Sequence, residues 1–98
     1  MANQGWNRFL TIIEDLSVSE SVDKLSRRGR FSDAWDGLKW MLSREGTTLG
    51  YFFADGDMVF RHYKQAGDKL AGTPAIAIVY SYKLENPAEI TIHELWTS

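Results

Sequence analysis

Apolar side chains recur at helical spacing through the first half of the chain and at alternate positions through the second. Trp6, Phe9, Leu10, Ile13 and Leu16 share one face at that spacing, so residues 6 to 16 read as a first helical segment. Val18, Val22 and Leu25 keep the period but project from nearly the opposite side. One straight helix would then be apolar on two faces, so a break or kink is expected near Ser17. Ser17 followed by Glu20 has the spacing of a capping box, and Gly29 ends the segment. The next helix is marked by Ser32 as N-cap and by a stripe of Phe31, Ala34, Trp35, Leu38, Met41 and Leu42. Arg44 lies in its last turn, where the helix dipole favours a cation, and Gly46 is its stop. Trp40 falls off the stripe.

From Thr47 the period changes to two. "LGYFFADGDMVFRHYK" reads as two β-rich runs joined by Asp55-Gly56 as a two-residue hairpin loop. "QAGDKLAGTP" reads as a loop, "AIAIVYSYKL" as a third strand, "ENPAE" as a turn and "EITIHELW" as the last strand. Helices followed by a run of strands predict an α+β fold, with N-terminal helices packed on one face of a C-terminal antiparallel sheet of about four strands. At 98 residues the chain is expected to form a single domain.

Alternation assigns the faces. With Asp55-Gly56 as the loop, Phe53 faces Met58, Phe52 faces Val59 and Tyr51 faces Phe60. The face holding Tyr51, Phe53, Met58, Phe60 and His62 is the more apolar and is expected to be covered. Ile76, Ile78, Tyr80 and Tyr82 point inward. Ile90, Ile92, Glu94 and Trp96 share one side of the last strand, and Thr91, His93 and Leu95 the other. The open face then gathers Arg61, Tyr63, Lys83 and His93. Arginine and lysine hold phosphate oxygens, histidine transfers protons near neutral pH, and tyrosine stacks on a base. These types suit phosphodiester chemistry. The commoner fate of such residues is a solvated sheet face. His62 and Glu94 on the buried side signal that the register slips or a strand is bulged.

Composition narrows the function classes. The net charge of -2 counts against non-specific nucleic-acid binding. The chain has no cysteine, which excludes disulfides, thiolate metal sites and a cysteine nucleophile. Two histidines disfavour a multi-histidine metal site, so no metal and no cofactor are expected. No apolar run reaches the length of a membrane span and no signal peptide is read, so a cytoplasmic location is expected. Lys24, Arg27, Arg28 and Arg30 form a basic connector with no acid among them. It reads either as solvated surface or as a contact for phosphate or an acidic partner. "GDKLAG" lacks phosphate-loop spacing, and no Ser-His-acid arrangement is readable.

Residues 31 to 96 resemble the RelE/ParE superfamily of toxin–antitoxin toxins. The likeness lies in the order of "FSDAWDGLKWMLSREG", a glycine-containing turn, "MVFRHYK", a variable loop, "PAIAIVYSYKL" and "EITIHELW". The resemblance implies two helices against an antiparallel sheet and neutralisation by a cognate antitoxin. It also implies either cleavage of mRNA on the ribosome or inhibition of DNA gyrase. Family members place a short strand before the helices, where residues 1 to 12 here read as helical. By the ribonuclease pattern, Arg61 matches the strand arginine and His93 the late-strand histidine or tyrosine, with Lys83 and Tyr63 as looser matches. Arg61 and Lys83 would stabilise the phosphate, His93 would transfer a proton, and Tyr63 would stack.

A reading of another class stands beside it. The acidic balance, the off-stripe Trp40 and the terminal Trp96 suit a non-catalytic binding or assembly domain. Such a small domain completes its core with a partner protein or a second copy.

Overall fold

Thr11, Ile12 and Ile13 put two β-branched types in a row, a run that favours extended backbone over helix. The computed structural model, which describes residues 9 to 97, forms a strand there. β1 spans Thr11–Glu14 and pairs in parallel with the last strand, Ile12 beside Ile90 and Glu14 beside Ile92. The helix expected over residues 6 to 16 is corrected accordingly; positions 6 to 8 lie outside the described residues. Asp15 follows in extended conformation and caps α1 (Leu16–Leu25), its carboxylate accepting from the Val18 N–H at 3.1 Å. The break near Ser17 therefore falls two residues earlier. Ser17 lies inside the helix and donates to the same carboxylate.

α2 spans Phe31–Glu45. Its apolar stripe is the expected one, and Phe31, Ala34, Trp35, Leu38 and Leu42 are buried. Ser32 does not cap it: the N-cap position is Arg30, with no side-chain cap bond. Gly46 closes it, its N–H donating to the Leu42 carbonyl. The strands are β2 (Tyr51–Asp55), β3 (Met58–Gln65), β4 (Ile76–Lys83) and β5 (Glu89–Thr97). They form a five-stranded sheet in the order β1-β5-β4-β3-β2. The fold is α+β. The sheet is mixed rather than antiparallel throughout, because β1 adds a fifth, parallel strand.

The hairpin closes one residue later than Asp55-Gly56 would have it. Asp55 pairs with Met58, and Gly56 and Asp57 form the loop. Gly56 has φ 64, the left-handed value that the first loop position of a type II′ turn demands. Every cross-strand partner moves by two positions, so Phe53 meets Phe60 instead of Met58. A shift of two preserves alternation. Tyr51, Phe53, Met58, Phe60 and His62 do share a face.

It is the open face. Val59, Arg61 and Tyr63 pair with Tyr82, Tyr80 and Ile78, and residues directly opposite share a side. Ile76, Ile78, Tyr80 and Tyr82 lie under the helices as expected, so β3 is bound to turn Arg61 inward with them. The core is this layer, with Val59, Ile90 and Ile92, against Val18 and the α2 stripe.

β5 carries an irregularity that the sequence pattern hides. Val79 pairs with Glu94 but Tyr80 pairs with Ile92, which leaves His93 as an extra residue. This bulge reverses the alternation after it. Ile90, Ile92 and Leu95 all reach the helix side, while His93, Glu94 and Trp96 turn to the open side. Glu94 and Trp96 therefore do not share the face of Ile90 and Ile92, and Leu95 does not share that of His93.

The end of α2 is fastened to the sheet by hydroxyls. Tyr80, fully buried, donates to the Gly46 carbonyl at 2.7 Å. Burial pushes its hydroxyl well above the ordinary tyrosine value, so it acts as a neutral donor. A Cβ on Gly46 would collide with Ile90 Cδ1 and the Leu42 carbonyl, so this approach needs glycine. Tyr80→Phe is expected to leave that carbonyl unpaired and to cost about 1–3 kcal/mol. Urea unfolding followed by tryptophan fluorescence checks this, and an unchanged midpoint contradicts it.

Candidate functional site

Arg61 and Tyr63 are brought to one side of the sheet, and Lys83 and His93 to the other. The four do not meet on one face. Arg61 is a fastening residue: its Nε donates to the Tyr82 hydroxyl at 2.8 Å and its Nη1 to the Leu49 carbonyl at 2.9 Å. Its guanidinium also lies over the Phe52 ring at 4.8 Å. Five donors in a planar fork explain why an arginine serves here. It joins β3, β4 and the turn after α2, and it shields one side of the exposed β2. Tyr63 packs against the helix-side core.

Lys83 lies on the open side beside a groove of about 540 Å³ lined by Met58, Ser81, Glu85, Glu89 and Thr91. The two carboxylates in that lining offset its charge, which does not suit a phosphate. Arg28 lines a separate cavity with Pro74 and Thr97, at the opposite end of β4. Arg30 pairs with Asp33 at 2.7 Å and reaches the Ala71 carbonyl at 3.4 Å. Arg27 is exposed on the same turn. The basic connector and Lys83 thus sit at opposite ends of an eight-residue strand, roughly 23 Å apart at strand rise.

His93 occupies the bulge and links three elements. Its Nε2 lies 2.7 Å from Ser81 Oγ, and its Nδ1 lies 4.0 Å from Asp15 Oδ2. A Ser-His-Asp constellation is therefore present that spacing did not reveal, since its members come from β4, β5 and the α1 cap. Ser81 is 3% exposed. As placed, the hydroxyl is a buried group satisfied by the imidazole rather than a presented nucleophile. The Ser81 contact fixes His93 on the open face, facing the α1 cap. Asp15 is held below the ordinary value of 3.8, first by the Val18 N–H, then by the Ser17 hydroxyl, with His93 adding to it.

The remainder of the open face is aromatic. Phe53 stacks on Phe60 at 5.3 Å, and Phe60 is followed by the His93 ring at 6.1 Å. A second row runs from Tyr51, opposite His62, to Trp96, which meets His62 edge-on at 6.3 Å. Tyr51, Phe52, Phe53 and Trp96 are 81%, 64%, 62% and 49% exposed. Every residue of β2 is exposed. Trp40 is also exposed, but on the outer side of α2, where the Arg44 guanidinium covers its ring at 4.4 Å. The two tryptophans expected at an interface do not belong to one surface. Trp96 lies on the aromatic face and Trp40 lies outside the helix layer.

Among the described residues no cluster of three His, Cys, Asp or Glu side chains could hold a metal ion, and no helix is long and apolar enough to cross a membrane. Compared with known protein families, curated proteins and solved structures, the chain matches none.

Asp15 carries the titration expected here. Its folded value is depressed, so its contribution to stability is full above the unfolded value and is lost as pH falls through the folded one. Asp15→Ala is expected to be less stable than wild type near neutral pH, and the gap is expected to narrow below about pH 4. Thermal melts across pH 3 to 7 read it; a gap equally wide at pH 3 contradicts the assignment.

Proposed function

We propose that this chain is a binding domain that acts through protein–protein contacts, using the aromatic open face and the adjoining strand β2. The observation that carries this is the concentration of exposed rings. Tyr51 and Phe53 share the open face of β2, with Phe60, His62 and Trp96 continuing that surface inward, while Phe52 is exposed on the other face of the same strand. Scattered apolar residues on a surface need no explanation, but a contiguous aromatic patch marks an interaction site. Aromatic side chains supply much of the binding energy at interfaces. Their cross-strand stacking also fixes the rings in place, so little side-chain freedom is lost when a partner docks.

The test is a combined variant, Tyr51→Ser, Phe53→Ser and Trp96→Ser, compared with wild type in cross-linking from native cells. Each position is exposed, so the far-ultraviolet circular dichroism should be unchanged. Cross-links to the partner are expected to fall more than about tenfold, the factor that corresponds to 1.4 kcal/mol. Equal cross-linking by wild type and variant contradicts the proposal.

A toxin-like reading is kept as the second proposal, because two observations favour it. His93 stands on the open side, held by Ser81 and facing Asp15, with Lys83 on the same side. The short strand β1 ahead of two helices is also the element order that the RelE/ParE resemblance calls for. In this reading the partner is a cognate antitoxin and the target is mRNA on the ribosome or DNA gyrase. His93 would transfer a proton and Lys83 would contact a phosphate, while Arg61 would act only by supporting the sheet. Ribosome-programmed RNA cleavage and gyrase supercoiling would be measured for wild type, His93→Ala and Lys83→Ala. Loss of about 100-fold in cleavage for His93→Ala is expected of a general acid or base. Cleavage equal in all three proteins removes these residues from catalysis.

A further inference from the structure

We propose that β2 pairs with β2 of a second copy, antiparallel across a two-fold axis, so that two five-stranded sheets join into one. The inference rests on the binding reading above and names its partner.

The free edge is the first ground. In a two-residue hairpin the closing pair exchanges both hydrogen bonds and the pattern alternates along the strands. Asp55, Phe53 and Tyr51 thus spend their N–H and C=O groups on β3, and those of Phe52 and Ala54 face outward. Soluble proteins blunt such an edge with lysine, proline, a bulge or a covering element. Among the described residues β2 has none of these, and its single charge, Asp55, stands at its last position. Its sequence is YFFAD, its pairing with β3 is regular, and all five residues are exposed. The far side of the sheet is treated differently. There β1 is only four residues long, and Leu10 just before it donates to the Ser43 carbonyl of α2 at 2.8 Å. Beyond β1, α1 packs on the remainder of β5.

The second ground is self-complementarity. Centring the axis on Phe53 places Phe53 opposite its own copy, Phe52 opposite Ala54 and Tyr51 opposite Asp55. Phe52 and Ala54 are the residues with outward backbone groups, so both of their pairs exchange hydrogen bonds. The Phe53 pair is then the close, non-hydrogen-bonded kind, with Cα atoms about 4.5 Å apart. It would extend the Phe60–Phe53 stack across the axis into a ladder of four rings. On the other face a large side chain meets a small one. At the ends a hydroxyl meets a carboxylate, and no like charges are opposed. One step further out, Gly50 faces Gly56, so no side chain obstructs either end.

The area sets the strength. A fully buried aromatic covers roughly 150–250 Å², so the three β2 rings, 81%, 64% and 62% exposed, offer about 300–500 Å² per copy. A total of about 600–1,000 Å² falls below the standard interface size. The dimer is therefore weak and depends on protein concentration.

The chain contains no cysteine, so single cysteines report the register cleanly. Under mild oxidation Phe53→Cys is expected to form a covalent dimer at least about tenfold faster than Tyr51→Cys or Asp55→Cys alone, and a mixture of those two is expected to cross-link to each other. Sedimentation of wild type is expected to shift from monomer to dimer as concentration rises. Ala54→Pro removes an outward N–H, a change that an edge strand tolerates, and is expected to remain monomeric. Cross-linking of Phe53→Cys no faster than the other single variants overturns the pairing, as does a wild type that is monomeric at every concentration. If the patch variant still loses its cross-links to a different protein, the binding reading stands and only self-pairing fails. Covalent dimers from Phe53→Cys, together with native cross-links that join two copies of this chain and are lost in the patch variant, support self-pairing and remove the foreign partner.

Discussion

The extra residue at His93 decides what this sheet presents to each side. A regular β5 would direct Ile90, Ile92, Glu94 and Trp96 to one face and would bury a carboxylate. The bulge lets Ile90, Ile92 and Leu95 all reach the helices, while His93, Glu94 and Trp96 stay on the open side. A bulge also increases local twist. The added histidine is then used: its ring satisfies Ser81, the one buried polar residue among those described, and faces the α1 cap. The position that repairs the register also brings an imidazole to the α1 cap.

Arg61 performs the matching task on the helix side. Every residue of β2 is exposed, so neither helix covers the sheet at that edge. The guanidinium fills part of that gap, bonded to Tyr82 and Leu49 and lying over Phe52. Its N–H groups are satisfied by a hydroxyl and a carbonyl rather than by a carboxylate, and the side chain is only half-buried, so its charge stays partly hydrated. β2 is supported from one side by this arginine and from the other by the Phe60 stack, and its outer edge is left free. The proposed binding surface is the face of the sheet opposite the helices, together with the exposed strand β2.

Much of the architecture was legible in the chain. The α2 stripe, the change of period after Thr47, the hairpin, the inward set Ile76, Ile78, Tyr80 and Tyr82, and the off-stripe position of Trp40 all follow from local pattern. Three features were not. Leu10, Ile12 and Glu14 alternate over too few residues for strand period to outweigh the helical spacing of Phe9, Ile13 and Leu16, and only pairing with β5 decides the matter. The covered face of β3 was misassigned because hydrophobicity favoured Tyr51, Phe53 and Phe60, whereas pairing with β4 turns Arg61 inward. The bulge leaves no mark beyond a glutamate and a tryptophan on the wrong parity. The candidate site inherits the last two features. They separate Arg61 and Tyr63 from His93 and Lys83, and they bring Ser81 and Asp15 to His93 from places that no motif links.

Amide hydrogen exchange of Phe52 and Ala54, measured across protein concentration, tests most directly whether the free edge of β2 is a docking edge. The account predicts that both amides exchange quickly in dilute protein and become protected as concentration rises, while those of Tyr51 and Phe53, already bonded to β3, stay protected throughout. Rapid exchange of Phe52 and Ala54 that does not change with concentration would contradict it.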